Sequence, residues 1–161
     1  MGAMEVIVER VFLVFRLYIN KFAFMLATIC FPNVSFATEQ AFETFAEVAA
    51  MYIGSCEAII SLKKTSCTRF TVLKEPEACF DATVKLLPAN NQTEFRKSIN
   101  FHYRQIAETA AKAAKIGLDT VVNGVGGDIQ RGCEIYVATL NTYSHSRFEE
   151  LTRLSKMLPK R

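Results

Sequence analysis

The side chains that could do chemistry in this 161-residue chain are two histidines and five cysteines. Nucleophilic catalysis needs a serine or cysteine held beside a base such as histidine. Helical projection turns His145 away from the apolar side of its segment, and His102 borders an apolar side next to Tyr103. The sequence contains no GxSxG, HExxH or paired-aspartate motif. We therefore expect no catalytic residue and no enzyme activity.

Neither the glycines nor the cysteines form a pattern typical of a cofactor or metal site. The segment Gly124–Gly127 precedes an expected helix, whose N-terminal amides would attract anions. It lacks GxGxxG spacing, a P-loop lysine and a preceding strand. Zinc sites need closely paired thiols, whereas successive cysteines from Cys56 to Cys133 lie 11, 12 and 54 residues apart. We expect neither a cofactor nor a bound metal.

The first 37 residues have the pattern of a cleaved signal peptide. Basic residues extend to Lys21, an apolar run covers Phe22–Phe31, and Ser35–Ala37 supplies small residues for a signal peptidase. An uncleaved anchor over Val6–Phe31 would place charged residues within the hydrocarbon at high cost. The sequence therefore predicts removal of residues 1–37, a single domain over 38–161, no stable membrane anchor, and a periplasmic or secreted location.

The remaining cysteines predict two disulfides. An exported chain that retains Cys56, Cys67, Cys79 and Cys133 has an even number of thiols for an oxidising compartment. We favour Cys56–Cys133 with Cys67–Cys79, because the first two occupy expected core faces and the other two lie at loop margins. The alternative is Cys56–Cys67 with Cys79–Cys133. In either case no free thiol should remain.

Helical periodicity predicts an all-α fold, a small four-helix up-down bundle stapled by two disulfides. The apolar stripe of the first helix should leave Glu39, Glu43 and Glu47 on a solvated face, with an acidic docking stripe as the alternative. The expected elements are a helix over 38–62, a loop over 63–74 with at most a short strand at 69–73, a short helix from Pro76 to about Leu87, a long helix from Asn91 through Ile116 or beyond, and a last helix from Asp128 to about Leu158.

Several helix ends carry capping signals. Asn91 with Glu94 forms a capping-box pattern, the glycines before Asp128 can take left-handed angles, and Asp128 is a suitable N-cap. A second capping-box pattern, Ser146 with Glu149, could divide the last helix. With alternating helix directions, all four cysteines should lie at one end. The expected core stripe of the last helix is Ile129, Cys133, Tyr136, Val137, Leu140, Tyr143, Leu151, Leu154 and Leu158.

Charge does not indicate a nucleic-acid partner. Without residues 1–37 the chain has 16 basic and 14 acidic side chains, so its net charge is small. The basic residues are spread among acidic ones and lack the aromatic interleaving of RNA-binding surfaces. We therefore expect no binding to nucleic acid.

Two short stretches resemble a known family. A Tyr52-x-x-x-Cys56 step and a terminal helix opened by Cys133 that contains Thr-Tyr-Ser-His145-Ser are similar to the periplasmic immunity proteins that neutralise type VI secretion amidase effectors. The resemblance implies an exported, helical, disulfide-bearing protein that binds and inhibits a partner protein, in a family whose members often form homodimers. The alternatives are a carrier of a small apolar ligand and an accessory component of an envelope secretion apparatus.

The long third helix carries the candidate partner surface. Phe101 projects opposite the expected stripe of Phe95, Ile99, Ile106 and Ala113, and Lys97 and Arg104 flank it. A large apolar group ringed by polar ones is typical of binding hot spots. We therefore assign partner binding to Lys97, Phe101 and Arg104, with His145 as a further exposed candidate. The alternative is that the third helix is central to the bundle and buries Phe101.

Overall fold

The computed structural model describes residues 36–69 and 76–158, and these residues form four α-helices. They are α1 (Phe36–Thr65), α2 (Pro76–Lys85), α3 (Ala89–Gly124) and α4 (Ile129–Ser155). No strand occurs within these ranges, which confirms the all-α class. The predicted signal peptide lies outside the described residues apart from its last two, and of the suggested strand at 69–73 only Arg69, in a turn, lies within them.

Contacts between particular residues give the directions of the three long helices. Phe45, near the start of α1, lies edge-on to Phe95 near the start of α3, with 6.0 Å between ring centroids. Tyr52, further along α1, packs on Phe148 near the end of α4 at 5.1 Å. The Cys67–Cys133 disulfide joins the end of α1 to the start of α4. Accordingly α1 and α3 run in one direction, and α4 runs in the opposite direction.

The central element is α1. Between Phe45 and Ile59 every residue is buried except Glu47 and Glu57, which are half-buried. A single apolar stripe with a solvated opposite face was therefore the wrong expectation for this helix, because α2, α3 and α4 all pack on it. Gln40–Thr65 is long and apolar enough to cross a membrane, but 83% of its most apolar stretch is buried inside the protein.

The sequence identified one of the helix caps correctly. Asp128 caps α4 by accepting a hydrogen bond from the backbone N–H of Arg131 at 3.0 Å. The expected capping box at Asn91 is wrong, because the extended backbone of Pro88 starts α3 two residues earlier, at Ala89. Asn91 instead donates its backbone N–H to the carbonyl of Pro88. No break occurs at Ser146, and α4 is continuous to Ser155.

The turn between α3 and α4 brings these helices close together. Gly126 and Gly127 have φ of 76° and 87°, the left-handed conformation that the sequence predicted for them. Beyond the turn, a Cβ at Gly132 would lie 3.2 Å from the Cα of Val122. The seam between α3 and α4 therefore depends on small residues. Ile129 does not join the core stripe expected for α4, since its position in the first turn leaves it 60% exposed.

The two disulfides are Cys56–Cys79 and Cys67–Cys133, with Cα–Cα distances of 6.6 and 5.6 Å. Both pairings favoured from the sequence are wrong, and the prediction of no free thiol among these four is confirmed. Cys79 lies inside α2 on the face that packs against α1 and is fully buried, so it is not a loop-margin residue.

The two bonds lie at different heights along the central helix. Cys56 is nine residues before the end of α1, and Cys67 lies two residues beyond that end. At the helical rise per residue, the two levels are roughly 15 Å apart. The expectation that all four cysteines share one end therefore holds only for Cys67–Cys133.

Candidate functional site

The outward side of α3 carries the charged residues that the sequence singled out. Lys97 is exposed, and the Arg104 side chain is 92% exposed. The Nε of Arg104 donates to Oε1 of Glu108 at 2.9 Å, one helical turn further on, and Glu94 is exposed one turn before Lys97. An ion pair in water adds only about 0–1 kcal/mol of stability. These charges are therefore available to a partner. We call Glu94, Lys97, Arg104 and Glu108 the outer α3 face.

The opposite side of α3 is the core face that was predicted. Phe95, Ile106, Ala110 and Ala113 are buried on it. The backbone of residues 98–102 belongs to α3, and their side chains lie outside the described residues. By helical register, position 101 falls between Lys97 and Arg104. The assignments made for Ile99, Phe101 and His102 stay predictions.

A polar and aromatic cluster that the sequence did not predict supports the outer α3 face from the side. The Tyr103 hydroxyl donates to the Oε1 atom of Glu57 on α1. The Tyr103 ring meets the edge of Phe80 on α2, with centroids 6.4 Å apart. Arg96 lies over Phe80 at 5.4 Å and forms a 2.9 Å ion pair with Asp81. We call these contacts the Tyr103 cluster, and they fix this part of α3 to α1 and to α2.

His145 does not join the outer α3 face. It lies on α4 with 75% of its side chain exposed, and its Nε2 is 3.3 Å from Oε1 of Glu149 on the same helix. This confirms a surface histidine. Among the contacts that the structure gives for Lys97, Arg104 and His145, none joins the histidine to the other two. His145 therefore lies on a different helix from Lys97, Phe101 and Arg104, which all belong to α3.

Three buried polar atoms among the described residues have no hydrogen-bond partner: the hydroxyls of Tyr52 and Tyr136, and Nε of Arg147. Each tyrosine is only 1% exposed. Burial raises the pKa of both hydroxyls above the ordinary value, because the charged form would lose its hydration. These tyrosines therefore remain protonated packing groups at neutral pH. Arg147 keeps its charge paired, since its Nη1 lies 2.6 Å from Glu150.

A surface cleft of about 270 Å³ lies over the Cys67–Cys133 disulfide. It occurs where the end of α1 meets the start of α4, and Nη1 of Arg69 donates to Oε1 of Gln130 there at 3.4 Å. No sequence pattern indicated this cleft, because Arg69 and Gln130 on its two sides are 61 residues apart along the chain. The residues that line it are Ser66, Cys67, Thr68, Arg69, Ile129, Gln130 and Cys133.

Neither a metal site nor a known relative indicates a role for any described residue. Within residues 36–69 and 76–158, no group of three or more histidine, cysteine, aspartate or glutamate side chains is placed to hold a metal ion. No protein-family model, no curated protein and no solved structure matches the chain. The resemblance to periplasmic immunity proteins therefore stays a prediction.

Proposed function

We propose that this protein is an exported, non-enzymatic binding protein that inhibits a partner protein in the periplasm or outside the cell, as an immunity protein does. The observation that carries the proposal is the pair of disulfides that tie α2 and α4 to the central helix α1. Disulfides of this kind persist in oxidising compartments. They also support the proposed architecture, a four-helix up-down bundle whose surface is rigid before it meets a partner.

The outer α3 face is the proposed contact surface. Its backbone is fixed by the Tyr103 cluster, so little conformational freedom would be lost on binding. Lys97 and Arg104 are seven residues apart and share one side of α3, where each can pair with an acidic group of a partner, while Glu94 and Glu108 can pair with basic ones. Phe101 occupies the register position between them and is the proposed apolar anchor.

The packing between helices favours binding at the surface over a ligand held inside the bundle. A carrier needs open volume between its helices. Along the α3–α4 seam, the Tyr136 ring occupies the space where a side chain at position 117 would lie. Val122 fills the equivalent space at Gly132. These contacts support the inhibitor proposal over the carrier alternative.

The proposal is tested by partner capture followed by binding measurements on charge-reversed variants. The mature chain is immobilised, its specific partner is recovered from the native envelope fraction, and the purified pair is measured by calorimetry. We expect Arg104→Glu to weaken binding tenfold or more. The matched control is Lys115→Glu, because Lys115 is also exposed on α3 and also forms an i,i+4 ion pair, with Asp119. Both variants should melt like the wild type.

Two results would contradict parts of this proposal. If no specific partner is recovered from any envelope fraction, the inhibitor function is wrong. If Lys97→Glu and Arg104→Glu both bind like the wild type, the contact surface lies elsewhere.

Phe101→Ala separates an anchor from a core residue. Loss of a surface anchor should weaken partner binding and leave melting nearly unchanged. Loss of a buried phenylalanine should instead cost about 3–5 kcal/mol of stability. A variant that both melts and binds normally would exclude either role for Phe101.

A further inference from the structure

We infer that the cleft over the Cys67–Cys133 disulfide binds an acidic side chain, flanked by an aliphatic one, on a surface segment of the partner protein. The inference rests on the proposed function and adds a second contact at the end of the molecule where α1 meets α4. We call this cleft the disulfide cleft.

The charge of the disulfide cleft is positive. Among the described residues that line it, Arg69 alone is ionisable, because the two lining cysteines are bonded to each other. The contact with Gln130 uses one N–H of the guanidinium and orients it across the cleft, so its other N–H groups can bind a carboxylate. Ser66 and Thr68 belong to the same lining, and the Thr68 hydroxyl can donate as well.

The surroundings reinforce this charge. Lys63 and Lys64 are exposed in the last turn of α1, and Arg131 is exposed in the first turn of α4. Among the described residues, the nearby acidic ones are Glu134 and Asp128, whose carboxylate is the N-cap of α4, so basic residues outnumber acidic ones. The described residues around the disulfide cleft therefore favour a negatively charged occupant.

The volume of the disulfide cleft and its apolar lining indicate which kind of ligand it can hold. About 270 Å³ is below the range of roughly 300–1,000 Å³ typical of small-molecule sites, so the cleft suits one or two side chains. Ile129 is 60% exposed and borders the cleft beside the disulfide, which offers an apolar contact next to Arg69. A carboxylate adjacent to an aliphatic group, as on a folded partner, matches both features.

Two short peptides test the inference on the mature protein. One is N-acetyl-leucyl-glutamate α-amide, which carries one side-chain carboxylate, and the other is its neutral glutamine counterpart. Backbone amide shifts are followed by NMR during titration. We expect the acidic peptide to shift Ser66, Thr68 and Gln130 with a millimolar Kd, and the neutral peptide to bind at least fivefold more weakly. Arg69→Gln should abolish the difference, whereas the control Arg153→Gln, an exposed arginine at the far end of α4, should preserve it.

Each other result overturns the inference. Equal binding of the two peptides would show that the carboxylate is not recognised, and shifts unaffected by Arg69→Gln would place the peptide elsewhere. Absence of localised shifts at saturating peptide would mean that the cleft binds no such ligand.

The peptide titration tests the disulfide cleft separately from the inhibitor function. Peptide titration requires no partner, so specific binding would support the disulfide cleft even if no partner were recovered. If a partner is recovered, binds Arg69→Gln as tightly as wild type, and the peptides fail, the cleft inference is wrong and the proposed function stands.

Discussion

Gly117 has no room for a side chain, so Gly117→Ala should destabilise the protein even though alanine favours helices. The residue is buried in α3 opposite Tyr136 of α4. A Cβ at this position would overlap Oη and Cζ of Tyr136 and would lie 2.9 Å from Cε2. The Tyr136 ring is 1% exposed and cannot move into solvent. To make room for the Cβ, the ring could therefore move only if α4 shifted against α3.

The size of the effect follows from two opposing contributions. Replacing an interior helical glycine by alanine normally stabilises a protein by about 0.5–1 kcal/mol. Forcing extra atoms into a closely packed core costs about 1–3 kcal/mol. Three side-chain atoms of Tyr136 oppose the Cβ, which places the packing cost in the upper half of that range, so Gly117→Ala should lower the free energy of unfolding by about 1–2 kcal/mol. For a domain of this length that corresponds to a fall in Tm of roughly 3–8 °C.

Tyr136→Phe should act in the opposite direction. It removes a buried hydroxyl that has no hydrogen-bond partner and keeps the ring that fills the seam. We expect the free energy of unfolding to rise by about 1 kcal/mol, because an unpaired buried hydroxyl is costly. In the double variant the overlap with Oη disappears while the ring carbons remain. The effects of the two substitutions on the free energy of unfolding should therefore deviate from additivity by about 0.5 kcal/mol or more.

The assay is urea unfolding of the wild type, Gly117→Ala, Tyr136→Phe and the double variant. Unfolding is monitored by circular dichroism with the disulfides intact. Gly132→Ala is the comparison, because the atoms opposing a Cβ there include the backbone Cα of Val122. Truncating a side chain cannot remove that obstacle, so Val122→Ala should rescue Gly132→Ala only in part. If Gly117→Ala equals or exceeds the wild type in stability, the seam is not closely packed and the reasoning is wrong.

Burial raises the pKa of Tyr52 and Tyr136 above the ordinary 10.0, so the unfolded chain ionises first on raising pH. Above pH 10 the free energy of unfolding should fall by up to about 1.4 kcal/mol per pH unit for each of the two tyrosines. In urea unfolding at a series of pH values, replacing either tyrosine by phenylalanine should make this fall less steep. Replacing Cys67–Cys133 by serines should cost about 4 kcal/mol and replacing Cys56–Cys79 about 3.5, because their separations are 66 and 23 residues. Non-reducing peptide maps should show these two bonds, and any other pairing would contradict the fold. Intact mass from the native envelope should lack residues 1–37, whereas a chain retaining them would refute export with cleavage.

Local patterns were sufficient to predict the helices and one cap. Apolar residues at helical spacing identified the three long helices, and Pro76 at a first helical position identified the short one, since both signals depend only on neighbours within a few turns. Asp128 was recognised because a capping carboxylate acts on an amide three residues away. The even number of cysteines predicted two disulfides without giving their pairing. The exposed positions of Arg104 and His145 also followed from periodicity.

Tertiary packing decided the features that depend on several helices at once. Periodicity shows which side of α1 is apolar, but only the packing of three neighbours buries it on nearly all sides. Cys79 pairs with Cys56 because α2 lies against the middle of α1, a placement that no spacing along the chain encodes. The contact of Tyr103 with Glu57 and the disulfide cleft likewise join residues far apart in sequence. Such contacts depend on how whole helices are positioned, and local sequence constrains that positioning only weakly.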